Sequence, residues 1–326
     1  MKQFQYVRPA TQQNVLAAIA QPGTKIIAGG SNLVDLMKHG VMTPDKLVDI
    51  NKLPLRSITP AKSGLHIGAL ALNSQVSEDK QVKDKFPLLA QALNAGASAQ
   101  LRNMATVGGN MMQRTRCPYF YDTAMPCNKR TPNSGCGALE GFNRMHAIFG
   151  TSEKCIAVHP SDMAVAMVAL DATVLVAGRK GQRRIPFTEF HRLPGNTPEL
   201  DNNLGKDELI TAVEIPGNNF AKHSYYLKIR DRASYAFALI SVAVALDIQD
   251  GIIKDARLAM GGVAHKPWRL TAAEQTLKGK QATLASFELA AKAAMQGAKA
   301  FEHNAFKLQM APAAITEALQ HAAGLV

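Results

Sequence analysis

Cys117, Cys127, Cys136 and Cys155 are the only thiols in 326 residues, and all four fall within one eighth of the chain. Intervals of nine, eight and eighteen residues separate them, matching neither the paired C-x-x-C of a zinc ribbon nor a ferredoxin pattern. Spacing therefore names no metal. Confinement does argue for one: the stretch QRTRCPYFYDTAMPCNKRTPNSGC is rich in proline and glycine and shows no periodicity. Unless something organised it, it would be an implausibly long loose loop in a compact domain. Four thiolates around one centre would supply that organisation, whereas lone structural cysteines sit on apolar strand or helix faces. A 4Fe–4S cluster, a structural zinc and two disulfides are the candidates at this point, four cysteines allowing three pairings.

Two glycine pairs carry a second kind of chemistry. In TKIIAGGSNLVDLMKHG, a β-branched strand from Lys25 to Ala28 runs through Gly29 and Gly30 into a helix with Leu33, Leu36 and Met37 on one face. Such a turn points the N–H groups of Gly29 to Leu33 outward at a helix start, a geometry that receives a phosphate or diphosphate. It is not G-x-G-x-x-G, and a plain strand–helix turn explains the pair as well. ATVGGNMMQ repeats the motif at Gly108 and Gly109, with Thr106 and Asn110 adding a hydroxyl and an amide. Two such loops point to a ligand with two or more phosphates. In HPSDMAVAM, Ser161 and Asp162 precede a helix, where an N-cap is the plainer reading.

The elements that must position these residues mix helix and strand over the first 215 positions. PDKLVDINKL, GLHIGALA and ATVLVAG read as short buried strands, PLLAQALNAGASAQLRN and PSDMAVAMVALDA as amphipathic helices. After LITAVEIPGNNF the texture changes to a long strand, a turn at Asp250-Gly251 and a returning strand, followed by alanine-rich helices. The expected domains are 1–217, with a cysteine-rich insertion at about 113–155, and 218–326. Chains of this length bury proper cores, so no disulfide staple is needed. The net charge of +12 is dispersed without basic runs, which argues against nucleic acid and for an acidic partner or burial in a complex. Neither a membrane span nor a signal peptide is expected, since the opening MKQFQYVRPATQQNVLAAIAQPG reads as a strand and a helix. His159 and the other histidines are expected as capping or surface groups, and no catalytic acid–base pair is assigned.

KIIAGGSNLVDLM, LHIGALA, QLRNMATVGGN, HPSDMAVA, DELITAVEIP and YLKIRDRASYAFALISVAVAL…MGGVAHKPWR occur in the order found in the FAD-binding subunits of the xanthine dehydrogenase family of molybdenum hydroxylases, which the chain resembles over nearly its whole length. The resemblance implies an α+β fold. A two-part FAD-binding domain of the molybdenum-hydroxylase flavoprotein type precedes a small α+β C-terminal domain, an antiparallel sheet with helices. It implies an FAD diphosphate against Lys25, Ile26, Ile27, Ala28, Gly29, Gly30, Ser31, Asn32 and Leu33, and against Thr106, Gly109 and Asn110. Asp162 would hold the ribityl or ribose portion. Ile210 and Lys228 would approach the isoalloxazine, Lys228 near its pyrimidine oxygen, where a cation favours the reduced anionic flavin. Tyr226 would cover a flavin face or serve as a core tyrosine. Tyr235 stands where many members carry an acid, so that acid's contacts are not carried over.

Ordinary FAD subunits lack the cysteine stretch. It is most similar to the insertion that holds a 4Fe–4S cluster in the FAD subunits of periplasmic aldehyde oxidoreductases. In a flavin context this implies a 4Fe–4S cluster on Cys117, Cys127, Cys136 and Cys155, a one-electron centre beside a two-electron carrier. The resemblance further implies a heterotrimer with a large molybdenum-cofactor subunit, a small 2Fe–2S subunit and an external electron acceptor. It implies the periplasm, reached by co-export with a partner, the cytoplasm being the other location. Two rival readings are a self-sufficient FAD oxidase of the vanillyl-alcohol oxidase class, which usually needs a longer second domain, and a zinc-stabilised non-enzymatic scaffold subunit.

Overall fold

β-Branched and aliphatic runs build three separate sheets in the computed structural model, which describes residues 1–326. Strands β1 (Gln5–Val7), β2 (Thr24–Ile27) and β3 (Lys46–Asp49) form a parallel sheet of order β1-β3-β2, with Ile26 opposite Val48. Parallel pairing needs crossovers. Helix Gln12–Ile19, capped by the Thr11 hydroxyl, makes one and buries Val15, Leu16 and Ile19; helix Leu33–Lys38 makes the other.

Strands β4 (Ile58–Ala61), β5 (Gly64–Gly68), β6 (Thr173–Gly178), β7 (Gly181–Pro186) and β8 (Leu209–Pro216) form an antiparallel sheet of order β4-β5-β8-β6-β7. Against it lies helix Asp162–Ala169, every residue of which is buried. The expectation of an amphipathic helix is corrected here: apolar on all sides, it packs between two sheets. The other expected helix stops at Ala95, because Gly96 is extended and Ala97 takes a φ of +52°, and a separate turn Ala99–Arg102 follows.

Strands β9 (Ser224–Ile229), β10 (Ile240–Gln249), β11 (Ile252–Gly261) and β12 (Trp268–Arg269) form the last sheet, antiparallel in the order β12-β11-β10-β9. Asp250 and Gly251 both take positive φ, the requirement of a tight hairpin turn. Strand alternation divides β10 between two cores. Val242, Val244 and Leu246 face helices Thr271–Leu277, Leu284–Ala294 and Lys307–Ala323, while Ala243 and Ala245 share a core with helix Asp162–Ala169.

The cysteine-rich segment is not a loose loop. Short helix Pro118–Tyr121 opens it, and Cys127 bridges Cys136 in an antiparallel pair. Asn128 clamps the turn with its side chain, accepting from Gly135 N at 2.9 Å and donating to Lys154 O at 3.0 Å. Ile148 and Phe149 donate to Val263 O, and Phe149 stacks on Trp268. The segment is thus held by its own hydrogen bonds and by the C-terminal sheet.

Candidate functional site

The turn after β2 is shaped by two glycines for different reasons. A Cβ on Gly29 would stand 1.9 Å from Met104 O, so the α-carbon packs on bare backbone; Gly30 takes a φ of +72°, open to glycine at little cost. Val34 N and Leu36 N donate back to Gly30 O and Asn32 O, whereas no N–H from Gly29 to Leu33 has a protein acceptor. Five adjacent donors are left uncommitted. Asn32 Oδ1 accepts from Arg114 N at 2.9 Å, and its Nδ2 is buried without a partner. Donors in this density fit the diphosphate of a dinucleotide. Lys25, Ile26 and Ile27 lie in the β2 ladder, and Ala28 O accepts from Asn51.

The second glycine motif differs from its expectation as a loop. It is the short helix Val107–Met111, and its N–H groups are committed: Val107 and Gly108 to Ala71 O and Ala69 O, Gly109 to Thr106 Oγ1, Asn110 to Thr106 O. Thr106 is spent as a cap. What the segment can present to a ligand is the exposed α-carbon of Gly109 and the Asn110 amide, which is oriented by Ser161 Oγ at 2.7 Å. Met104 and Ala105, just before this helix, touch Gly29 and buttress the first turn.

Ser161 is the N-cap, its Oγ accepting from Ala164 N, and Asp162 begins the helix. Asp162 Oδ2 pairs with Lys228 Nζ at 2.7 Å and Oδ1 accepts from Tyr226 OH at 2.8 Å, both from β9. Lys228 also donates to Ala95 O, leaving one free N–H. Its charge is neutralised by Asp162, so it can offer an oriented donor rather than a bare cation. Tyr226 is a core residue, its phenol pushed well above 10 by burial and then by the Asp162 charge. Ile210 pairs with Val176 at a bulge in the β6–β8 ladder and shares the Tyr226 core.

All four cysteines are free and line one pocket with Lys129 and His146. No trio of His, Cys, Asp or Glu side chains is arranged to hold a single ion. A tetrahedral zinc with Zn–S of about 2.3 Å would require sulfurs about 3.8 Å apart. Burial pushes the Cys117 thiol up to about 12 and Cys155 to about 11, the latter opposed by the Lys129 charge. His146 Nε2 lies 3.2 Å from Cys117 Sγ.

Between the two regions runs a cavity of about 140 Å³, with Cys117 and His146 at its wall together with Ser161 and Asp162. Beside it His159, His191 and His265 are buried, which corrects the expectation of capping or surface histidines. Burial holds His159 well below 6.5 and lowers His191 and His265 to about 4, and each keeps one unpartnered ring nitrogen. Sequence reasoning missed this node and the Lys129–Asp201–Arg114 network beside it, in which Lys129 is buried and its partners half-buried. Nothing in the local patterns marks residues so far apart in the chain.

The family profile described as the FAD binding domain in molybdopterin dehydrogenase matches residues 2–218, and that of the CO dehydrogenase flavoprotein C-terminal domain matches residues 225–322. The chain belongs to the FAD-binding subunits of the molybdenum hydroxylase family. It is 48% identical over 326 residues, 99% of each chain, to the aldehyde oxidoreductase FAD-binding subunit PaoB of Escherichia coli K12. It is 30% identical to the glyceraldehyde dehydrogenase medium chain of Sulfolobus acidocaldarius, over 86% of this chain and 82% of that one. The solved carbon monoxide dehydrogenase of Hydrogenophaga pseudoflava shares the fold, with a TM-score of 0.78 at 24% identity over 99% of this chain and 98% of that one. As a family member the chain is an FAD-binding oxidoreductase subunit. No helix is long and apolar enough to cross a membrane.

Proposed function

We propose that this chain is the electron-transfer flavoprotein of a molybdenum-dependent aldehyde oxidoreductase, with domains 1–217 and 218–326, carrying FAD and a 4Fe–4S cluster on Cys117, Cys127, Cys136 and Cys155. The observation that carries it is the pairing, in one chain, of five uncommitted N–H donors at Gly29–Leu33 with a pocket onto which four free thiols converge. Full-length similarity to an aldehyde oxidoreductase FAD subunit supports the substrate class. Gly29 to Leu33 bind the diphosphate, with Gly109 and Asn110 alongside. Asp162 receives the ribityl or ribose hydroxyls while orienting Lys228, whose remaining N–H reaches the ring system with Ile210 beside it. When bound, the flavin supplies two-electron and the cluster one-electron chemistry. A large molybdenum-cofactor subunit and a small 2Fe–2S subunit complete a heterotrimer in the periplasm, and electrons leave to an external acceptor.

Spectra and aldehyde titration test this reading. The chain expressed alone should hold FAD, show a broad iron–sulfur shoulder and stay oxidised with aldehyde; restoring the partners should bleach the flavin. Aldehyde oxidation by the isolated chain would overturn the assignment.

A further inference from the structure

The wall of the cysteine pocket carries a buried charge that the proposed binding roles do not use. Lys129 follows Cys127 by two residues and its side chain is only 1% exposed. Its ammonium donates to Pro198 O at 2.9 Å and pairs with Asp201 Oδ1. Arg114 Nε takes the other carboxylate oxygen at 2.7 Å. Two cations therefore meet one carboxylate. His191 and His265 beside Asp201 are kept neutral by burial, so they add no charge to this count at neutral pH. A surplus cation on a buried side chain such as Lys129 is costly unless an anion offsets it.

We propose that Lys129 raises the reduction potential of a one-electron centre held by the four cysteines, and that Asp201 is the counter-charge limiting that rise. The inference rests on the reading of this pocket as an iron–sulfur site. An electron entering the centre adds a negative charge, and a fixed neighbouring cation stabilises that state in a medium of low dielectric. Lys129 exchanges no proton and no bond changes. Lys129 is a positioning and tuning residue, not a ligand.

An EPR-monitored titration of the assembled complex, with dithionite supplying electrons and being oxidised, tests the assignment. Lys129→Met should lower the potential of the cluster by about tenfold in the reduction equilibrium, 59 mV for a one-electron couple. Asp201→Asn should raise it, and Lys129→Arg should stay near wild type. Opposite signs mark an electrostatic role; a purely structural one would reduce cluster occupancy without moving the potential of what remains. If Lys129→Met does not accumulate, the rise in Asp201→Asn decides. An intact cluster signal with unmoved or same-sign potentials overturns this inference alone. A wild-type complex without that signal overturns the pocket reading and this inference together.

Discussion

The turn at Gly29–Leu33 and the cysteine segment meet where Arg114 N–H donates to Asn32, yet they hold their shapes by opposite means. The turn is built by absent side chains: Gly29 rests on a carbonyl and Gly30 adopts a left-handed φ, so the backbone is fixed while its donors stay free. The cysteine segment is built by side chains that satisfy backbone. Asn128 ties Gly135 to Lys154, and Arg130 donates to Tyr119 O and Phe120 O, while the thiols remain free of disulfides. Each region spends one class of group on structure and keeps the other for a ligand. Backbone N–H suits an anion and sulfur suits a metal.

If the two regions are independent in this way, removing one ligand should spare the other. The largest effect is expected from Gly30→Val, which combines a left-handed φ that valine rarely adopts with a β-branched side chain crowded against Val34 and Ile27, so the turn that presents the donors should not keep its shape. FAD should be lost on gel filtration with iron retained, and a folded variant holding stoichiometric flavin would break the comparison from that side. Cys127→Ser should do the reverse, with bound iron falling by one cluster's worth while most FAD remains; equal loss of both would show the regions act as one unit.

Acid should act on the joint between them. His191 and His265 are neutral when folded, with values lowered to about 4 against an unfolded value of about 6.5. Between these limits the unfolded chain binds more protons, so their contribution to stability is complete above 6.5 and declines as pH falls toward 4. A Tm that stays level from pH 7 to 4.5 would remove this account. The smallest effect belongs to Asp162→Asn, which keeps shape but loses charge. Flavin affinity should weaken by about 1–3 kcal/mol, measured by FAD titration of the apoprotein.

Much of this was legible locally. Gly29-Gly30 after β-branched residues announced the turn, and Ser161 announced its cap, because such signals involve neighbours in sequence. ATVGGNMMQ misled for a related reason: its glycines look like those of a phosphate loop, but Gly108 is there to approach Ala69, a contact between residues nearly forty positions apart. Helix Asp162–Ala169 misled because a short apolar run does not state how many of its faces will be covered.

By itself the sequence determined the strands with strong apolar runs, such as Thr24–Ile27, Lys46–Asp49 and the hairpin about Asp250-Gly251, together with the confinement of the thiols and the family, since each depends on residue types at short range or on motif order. Tertiary structure alone decided what those groups have left to give. Lys228 is disarmed by Asp162 across 66 positions, Lys129 is paired with Asp201 across 72, and three histidines from separate loops share one dry site. Charge and hydrogen-bonding capacity are settled by burial and by the nearest partner in space, and partners in space are what chain folding creates.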